Sequence, residues 1–235
     1  MYDKQPLHRM FSRVTPSYDF INRISTFGFD RLWRKKAAKE CLKNLPKQVL
    51  DICCGTGDLT LELRKKASPE TNITALDFSE NMISAAKRKA KKYNYANIDF
   101  IHADVSEMPF PDNFFDSIGI SFAFRNLTYQ NKKRDKFLQE ILRVLKPGGR
   151  FVIIETSQPE NRIFRKLFHI YLKLIIAPLG GLISGQHGAY KYLAHSASNY
   201  YNTDEICSLL INAGFKNVKQ TKFLQGISCL HIGNI

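Results

Sequence analysis

The chain has 235 residues, of which 44% are hydrophobic and 24% charged, so it is long enough for one large domain with a buried core and too short for two. Its net charge of +14 is compatible with nucleic acid or with an anionic membrane surface. It contains no run of about 18 uninterrupted apolar residues and no apolar N-terminal stretch, so the sequence predicts neither a membrane span nor a signal peptide.

Basic residues and cysteines are unevenly distributed. Residues 1–47 hold eleven Lys and Arg against four Asp and Glu, and residues 161–203 hold five basic residues and no carboxylate. A solvated basic surface and a surface for an anionic partner both explain this pattern. The five cysteines lack the paired spacing of a zinc site. The sequence therefore predicts no metal site and reduced thiols, which are typical of a cytoplasmic protein.

From about residue 47, short apolar runs alternate with helical stretches. Strands are predicted at 49–52, 72–77, 98–101, 115–121 and 150–155, with two more around 215–219 and 226–232. Helices are predicted at 58–66, after Ser79 as N-cap, at 132–145, and at 203–213 with Thr203 as cap and Gly214 as stop. This alternation predicts an α/β, Rossmann-like fold: a mostly parallel seven-stranded sheet with helices on both faces and an antiparallel strand at its far edge.

Two segments lie outside this alternation in the single domain predicted for residues 1–235. Residues 1–46 form a basic N-terminal segment of predicted helices, and residues 156–200 form an insertion after the fifth strand. Within the insertion, residues 163–178 are apolar on nearly every helical face, so we expect this run to be buried by something.

A glycine-rich turn follows the first strand. Asp51-x-x-x-Gly55-x-Gly57 ends that strand, and glycines there let the backbone approach a ligand that a side chain would exclude. Asp77 ends the second strand, 20 residues after Gly57. An acid at that place accepts hydrogen bonds from the hydroxyls of a ribose. Strand, turn, helix, strand and terminal acid together predict a nucleoside-binding site at the carboxyl edge of the sheet.

The third glycine of a dinucleotide-binding turn is missing, because Thr60 occupies its position. That glycine permits close helix packing beneath a pyrophosphate. S-adenosylmethionine has no phosphate and does not require it, so the turn favours this methyl donor over NAD or FAD. Asp104, just past the third strand, is suited to receive the exocyclic amine of an adenine, and a simple turn residue is the alternative.

The chain resembles the class I methyltransferases, and among them the C-methyltransferases of menaquinone and ubiquinone biosynthesis, over nearly its whole length. The resemblance rests on motifs in every part of the chain: Tyr18-Asp19-x-x-Asn22-x-x-x-Ser25, Trp33-Arg34-Lys35, Val49-Leu50-Asp51 with Gly55-Thr56-Gly57-Asp58, residues 109–116, Ser121-Phe122-x-x-Arg125-Asn126, residues 143–150, and Tyr190-Lys191-Tyr192-Leu193-Ala194. The Phe-x-x-Arg-Asn and Tyr-x-Tyr-Leu-Ala elements are the narrowest of these.

The resemblance implies roles for individual residues. The methyl donor would contact the turn and the strand ends, namely Thr56, Asp77, Asp104 with Val105, and Ser121. Arg125 and Asn126 would face the quinol, because they follow the fourth strand, and Tyr18 would join them. A surface ion pair is the alternative for Arg125, and a core aromatic is the alternative for Tyr18.

The chain departs from the family at two places. Cys53 and Cys54 stand where the family usually has glycine or a small residue. At His195 many relatives carry a glutamate, and near Ser198 they carry an arginine. His195 titrates near neutrality and is a candidate general base, with a structural histidine as the alternative.

The resemblance implies a polyprenylated quinol as substrate: demethylmenaquinol first, with a 2-polyprenyl-6-methoxy-1,4-benzoquinol of ubiquinone synthesis as the alternative. A prenyl tail gives the apolar insertion and the basic segment a joint explanation, since the enzyme would then sit peripherally at the inner, anionic face of a membrane. An ordinary core helix packed on the sheet is the alternative for residues 164–177. Two rivals remain. A nucleic-acid methyltransferase is disfavoured because the chain has no Pro-Pro and no Pro-Cys, and a non-catalytic binding module is disfavoured by the intact donor motifs.

Overall fold

A seven-stranded sheet lies at the centre of the protein in a computed structural model that describes residues 19–235. Its strands are β1 (Gln48–Ile52), β2 (Asn72–Asp77), β3 (Ile98–His102), β4 (Phe115–Ser121), β5 (Leu145–Thr156), β6 (Lys216–Phe223) and β7 (Ser228–Asn234). They lie in the order β3-β2-β1-β4-β5-β7-β6. The pairings among β1 to β5 are parallel, and β7 runs antiparallel to both β5 and β6. The predicted mixed sheet is confirmed.

Helices cover both faces of this sheet. They are α1 (described over residues 19–25), α2 (Phe29–Cys41), α3 (Asp58–Lys66), α4 (Glu80–Lys92), α5 (Phe124–Thr128), α6 (Arg134–Val144), α7 (Arg162–Tyr171), α8 (Ala177–Ser184), α9 (His187–Ser198) and α10 (Thr203–Ala213). One buried cluster joins Ile118 of β4 to Ile141 and Leu210 of α6 and α10. A second cluster joins Val49 of β1 to residues of α2 and α3. Burial of these two apolar surfaces holds the layers together.

The chain reverses its winding direction between β1 and β4. From β1 it moves outward through β2 to β3, and it then returns to place β4 on the other side of β1. Asp51 of β1 has Ala75 and Gly119 as its neighbours in β2 and β4. In such open sheets, ligands bind beyond the carboxyl ends of the strands at this reversal. The predicted turn after Asp51 begins there.

Ser79 caps α4 as predicted, because its side chain accepts a hydrogen bond from the Met82 amide at 3.4 Å. The cap predicted for α10 is wrong by one residue. Asn202 has the extended backbone of an N-cap, and its side chain accepts hydrogen bonds from the amides at positions 204 and 205 while Glu205 binds the Asn202 amide in return. Thr203 is already helical. Gly214 ends the helix in the left-handed region, as expected.

β5 begins earlier than predicted. The sequence predicts a strand from Arg150, but pairing with β4 already starts at Leu145 and shows an irregular register between Phe115 and Ser117. A Cβ on Gly149 would lie 2.6 Å from the Lys146 carbonyl oxygen. The Pro-Gly-Gly element therefore makes a bend within the edge of the strand instead of a loop before it.

The insertion is a helical layer formed by α7, a π-helical turn (Leu172–Ile176), α8 and α9. Phe168, Leu172 and Ile176 pack against Ala194 and Ala197 of α9. The rest of the described chain buries only one side of the apolar run, because six of its side chains are exposed: Ile163, Phe164, Leu167, Ile170, Leu174 and Ile175. Leu182 and Ile183 of α8 are exposed next to them.

By length and composition, the helical segment Arg162–Ser184 could cross a membrane: it has 23 residues and a mean hydropathy of 1.7 over its most apolar stretch. Buried residues make up 33% of that stretch. The sequence analysis predicted no membrane span because it required an uninterrupted apolar run. Lys173 interrupts the apolar run of this segment, so the segment did not meet that requirement.

Candidate active site

The turn between β1 and α3 has a backbone that only small residues adopt easily. Cys53, Gly55 and Gly57 all have positive φ angles, of 51°, 56° and 84°. A Cβ on Gly57 would also lie 3.0 Å from the Cβ of Ala86 in α4. Gly57 is therefore required both by its conformation and by the close approach of α4. Cys53 adopts the same left-handed backbone although it carries a side chain.

Asp77 is attached to this turn. Its Oδ2 accepts a hydrogen bond from the Gly55 amide at 2.8 Å, and its Oδ1 accepts one from the Ser79 amide at 2.9 Å. The two bonds fix a nearly buried carboxylate at the carboxyl end of β2, next to the glycine turn. The structure thus brings Asp77 and Gly55 together, as the sequence predicts.

Three acidic side chains act electrostatically on Cys53. Burial, followed by the negative charges of Asp77, Asp51 and Asp104, raises the pKa of the Cys53 thiol well above its ordinary value. Asp104 is exposed and accepts a 2.7 Å hydrogen bond from the Ser106 amide, while Val105 beside it is buried. Acidic side chains at the ends of β1 and β2 and just past β3 bias this edge of the sheet toward a positively charged ligand.

Asp51 is fully buried at the end of β1. The Thr60 hydroxyl donates a 2.5 Å hydrogen bond to Asp51 Oδ2, and Oδ1 has no hydrogen-bond partner within the described part of the chain. Burial raises the pKa of Asp51 to about 7, against the lowering effect of the Thr60 hydrogen bond and of Arg34. A buried, unsatisfied carboxylate oxygen beside the glycine turn is an available acceptor for a ligand.

Thr56 connects the turn to the N-terminal helix. Its hydroxyl donates a 2.5 Å hydrogen bond to Asp19 Oδ1 in α1. Lys89 of α4 donates to the same hydroxyl at 3.0 Å and forms ion pairs with Asp19 and Asp58, at 2.5 and 2.6 Å. The predicted donor-contacting Thr56 is therefore the meeting point of α1, α3 and α4.

A cavity of about 330 Å³ lies between the α1–α2 turn, the end of β4 and the helical insertion. Its walls are mainly aromatic and aliphatic, with Phe27, Trp33 and Phe122 on one side and Leu167 and Tyr190 on the other. Apart from the tyrosines Tyr171, Tyr190 and Tyr192, its polar side chains are Asn22, Ser25, Thr26, Asp30, Arg34, Arg125, Asn126, Thr156 and Ser228. The space suits an apolar ligand with a few polar groups.

Arg125, in the first turn of α5, lines this cavity with a side chain that is only 7% exposed. Its Nη1 forms a 3.1 Å ion pair with Oε1 of Glu155, at the end of β5, and its Nε donates a 3.2 Å hydrogen bond to the Ser196 hydroxyl. The alternative of a surface ion pair is therefore wrong. The cation is held inside the protein, at the cavity wall.

Asn126 lies beside Arg125 in the lining of the same cavity. Its side-chain oxygen is buried and has no hydrogen-bond partner among residues 19–235. A buried amide oxygen without a partner is unfavourable unless a ligand or water satisfies it. The two residues predicted to face the substrate thus share one wall.

The donor-side turn and the cavity meet at the end of β4. Arg34 of α2 donates a 3.0 Å hydrogen bond from Nε to the Ser121 hydroxyl, and its guanidinium lies 5.1 Å from the centre of the Phe122 ring. Arg34 also pairs with Asp30, and both line the cavity. Sequence reasoning quoted Arg34 only within a motif and missed its contact with Ser121.

Glu155 and Ser196 were also missed by the sequence analysis. An acid that ends the apolar run Phe151-Val152-Ile153-Ile154 was the available signal for Glu155. Ser196 carried no signal, since a serine within a helix is commonplace.

The structure does not bring His195 to the cavity. Its side chain is exposed, and its Nδ1 lies 3.5 Å from Asn199 Nδ2. The next residue, Ser196, faces inward instead. Tyr18 lies outside the described residues.

The reversed sheet with its glycine turn is of the Rossmann-like class, and the comparisons with known proteins show that this chain is an S-adenosylmethionine-dependent methyltransferase of that class. A family model described as the ubiE/COQ5 methyltransferase family matches residues 1–234, and the chain belongs to this family.

Individual relatives support this family membership. The chain is 36% identical over 231 residues to the demethylmenaquinone methyltransferases of Staphylococcus carnosus and Staphylococcus aureus strain JH9, covering 98% of this chain and 93% of each relative. The crystal structure of a SAM-dependent methyltransferase from Aquifex aeolicus shares the fold with a TM-score of 0.63, at 22% identity, over 92% of this chain and 96% of that one. The predicted class and methyl donor are confirmed, and the dinucleotide and binding-module alternatives are wrong.

Proposed function

We propose that the protein transfers a methyl group from S-adenosylmethionine to a ring carbon of a polyprenylated quinol, converting demethylmenaquinol to menaquinol. The observation that carries this proposal is a mainly apolar cavity with Arg125 and Asn126 side by side in its wall. An aromatic ring with two oxygens needs this combination of apolar walls and a few polar groups. The full-length similarity to demethylmenaquinone methyltransferases supports the same substrate.

We propose that the methyl donor occupies the region around the glycine turn. Asp77 would bind the ribose hydroxyls and Asp104, with Val105 beside it, the adenine. Gly55, where a Cβ would meet nothing within 4 Å, would leave room for the remainder. Thr56 and Gly57 would flank it, with Asp51 and Ser121 at its edges. The donor supplies an electrophilic methyl group on a positively charged sulfur, and the carboxylates around Cys53 fit that charge.

The acceptor carbon becomes nucleophilic when an adjacent quinol hydroxyl loses its proton. Arg125 remains charged at any working pH, so its guanidinium would stabilise the resulting oxyanion. Asn126 would hold the ring by a hydrogen bond to a quinol hydroxyl and so align the carbon. We do not propose His195 as the base, because its exposed side chain lies outside the cavity lining. The role predicted for Tyr18 stays a prediction.

A methyl-transfer assay with labelled S-adenosylmethionine tests this function. Reduced demethylmenaquinone and a reduced 2-polyprenyl-6-methoxy-1,4-benzoquinone are offered separately, with RNA as a third acceptor, and products are identified by mass spectrometry. We expect methylation of the first acceptor, and about 100-fold less activity in Arg125→Met. Arg143→Met is the matched control, because Arg143 also pairs with carboxylates but lies outside the cavity lining.

Each result of this assay has a distinct meaning. Exclusive methylation of the benzoquinol would replace demethylmenaquinol by the alternative substrate. Methylation of RNA alone would overturn the quinol proposal.

We further propose that the outer face of the insertion contacts an anionic membrane. Phe27, Phe164 and Leu167 are exposed and also line the cavity, so the cavity borders on this apolar face. Basic residues accompany it, at Arg162, Arg165, Lys166 and Lys173, and residues 161–203 contain no carboxylate. Because the opposite side of this helical segment packs on α9, we infer that it lies along the membrane surface and does not span it. A prenyl tail could then remain in lipid.

Vesicle flotation with phosphatidylglycerol and with phosphatidylcholine, at low and high salt, tests this contact. We expect binding to anionic vesicles that weakens with salt and with Leu174→Glu. Leu45→Glu is the control, since Leu45 is 82% exposed and Leu174 70% exposed, but Leu45 lies far along the chain from the insertion. Equal loss in both variants, or no binding at all, would contradict the proposal. A dimer that Leu174→Glu dissociates would assign the face to a second copy.

A further inference from the structure

Glu155 is a fully buried carboxylate at the end of β5. Both of its oxygens bind the same neighbouring residue. Oε2 accepts a 3.0 Å hydrogen bond from the Arg125 amide, and Oε1 receives Nη1 of the Arg125 side chain at 3.1 Å. Oε1 also accepts from the amide of Thr156 at 2.8 Å. A carboxylate this deeply buried is unfavourable without such partners, so Glu155 depends on Arg125 to balance its charge.

Ser196 completes the support. Its hydroxyl accepts the 3.2 Å hydrogen bond from Arg125 Nε and donates one to the Leu193 carbonyl oxygen at 3.2 Å. Nε and Nη1 of the planar guanidinium are therefore both fixed, by α9 and by β5. Nη1 also donates a 3.3 Å hydrogen bond to the Thr156 hydroxyl, whereas Nη2 makes no hydrogen bond with any other described residue. Since Arg125 lines the cavity, Nη2 is the nitrogen left for a ligand.

We infer that Glu155 and Ser196 are positioning residues that orient Arg125 toward the quinol oxygen. The inference rests on the proposed function, in which Arg125 stabilises the quinol oxyanion. Holding two of three guanidinium nitrogens fixes both the plane and the direction of the third, and alignment of this kind contributes strongly to rate. A guanidinium free to rotate would offer the oxyanion a less well-placed charge.

The charge of Glu155 also affects the ionisation of the bound quinol. Paired with Arg125, it leaves the cavity wall close to neutral, which suits the binding of an uncharged quinol. Without that carboxylate, the unbalanced guanidinium would favour the ionised quinol at lower pH. Loss of positioning lowers the maximal rate, whereas loss of the charge moves the pH dependence toward acid. A purely structural role for Glu155 would produce neither a pH shift nor any dependence on Arg125.

Steady-state kinetics of Glu155→Gln, Ser196→Ala, Arg125→Met and the double variant Glu155→Gln/Arg125→Met test the inference. We expect Glu155→Gln to lower kcat by about tenfold or more, with the donor KM unchanged and the pH midpoint of kcat lower than in wild type. Ser196→Ala, the milder change, should lower kcat by a smaller factor. In the double variant the effects should not add, because Glu155 acts through Arg125.

Glu140→Gln is the matched control, because Glu140 is also the carboxylate partner of an arginine, Arg143, away from the cavity. It should leave kcat and the pH midpoint unchanged. Additive losses in the double variant, or an unshifted pH midpoint together with wild-type rates in Ser196→Ala, would overturn the inference. A wild-type enzyme that methylates no quinol would instead overturn the proposed function.

Discussion

The hydroxyl of Thr60 donates a 2.5 Å hydrogen bond to Asp51, from the position at which dinucleotide-binding turns have their third glycine. A pyrophosphate site would leave no space for the Thr60 side chain. In this protein that side chain instead provides a hydrogen bond to one oxygen of the buried Asp51 carboxylate. Thr60→Val keeps the shape and removes this bond. We expect a loss of about 1–3 kcal/mol in unfolding free energy and about tenfold weaker binding of S-adenosylmethionine, because Asp51 is then less readily ionised.

Thr71→Val is the control for this variant. The Thr71 hydroxyl is buried and donates a 2.9 Å hydrogen bond to the Pro46 carbonyl oxygen, at the opposite end of the sheet. It should cost similar stability with donor affinity unchanged. Denaturant titration gives the stability, and calorimetry gives the affinity. Equal donor affinity in the two variants would refute the role of Thr60.

Asp51 should also make stability depend on pH. Burial raises its pKa from 3.8 to about 7, so the folded state keeps a proton that the unfolded state releases above pH 4. Stability from this group is therefore lost as the pH rises from about 4 to 7, by an amount on the order of 4 kcal/mol. Asp51→Asn should gain stability over wild type through this window, measured by denaturant unfolding at pH 5 and pH 8, while binding S-adenosylmethionine poorly.

Asp116→Asn should behave oppositely. Burial alone would raise the pKa of Asp116, but Lys146 and the amides of Lys47 and Gln48 overcome this and lower it. Its stabilisation is present above its unfolded pKa and is lost as the pH falls below about 4. Asp116→Asn should thus be less stable than wild type at pH 7.

The prediction for Asp51 has a clear contrary outcome. A constant difference in unfolding free energy between Asp51→Asn and wild type from pH 5 to pH 8 would contradict the titration of Asp51.

Replacing Asn126 should lower activity without lowering stability. Its buried oxygen has no partner in the described chain, so Asn126→Leu removes an unsatisfied polar atom and should keep or raise the unfolding temperature. The same change removes the proposed hydrogen bond to the quinol and should lower kcat/KM by about tenfold or more. Melting curves and quinol kinetics measure the two effects. A large fall in unfolding temperature would mean that the oxygen is satisfied within the protein.

The positions of the strands along the chain and the donor turn were predictable, because they rest on short-range patterns. Asp51, Gly55, Gly57 and Asp77 follow strands whose apolar runs are clear, and parallel strand ends meet at one edge. The cavity was less predictable. Its walls combine α1, α2, β4 and the insertion, which are distant in sequence, and Glu155 meets Arg125 across 30 positions.

His195 shows that the sequence also could not predict which way a helical side chain points. A single helical position decides whether a side chain faces inward, and a break from the family pattern carries no information about that direction. Ser196, one residue further, is the side chain that reaches Arg125. The apolar run of the insertion likewise predicted burial but could not distinguish a protein partner from lipid.

The close packing of α8 against α9 depends on glycines. A Cβ on Gly180 would lie 2.4 Å from Cδ1 of the Tyr190 ring, which lines the cavity. Gly180→Ala must therefore push this ring or separate the helices, at a cost of about 1–3 kcal/mol. We expect a lower unfolding temperature and a higher KM for the quinol, with the KM for S-adenosylmethionine unchanged.

Gly188→Ala is its control, because Gly188 lies in the same pair of helices and a Cβ there would meet nothing within 4 Å. Alanine is the better helix former, so Gly188→Ala should stabilise the protein by about 0.5–1 kcal/mol. Its quinol kinetics should match wild type. If Gly180→Ala also kept the wild-type quinol KM while losing stability, Tyr190 would have moved without altering the cavity, and the wall formed by α9 would not limit access of the substrate.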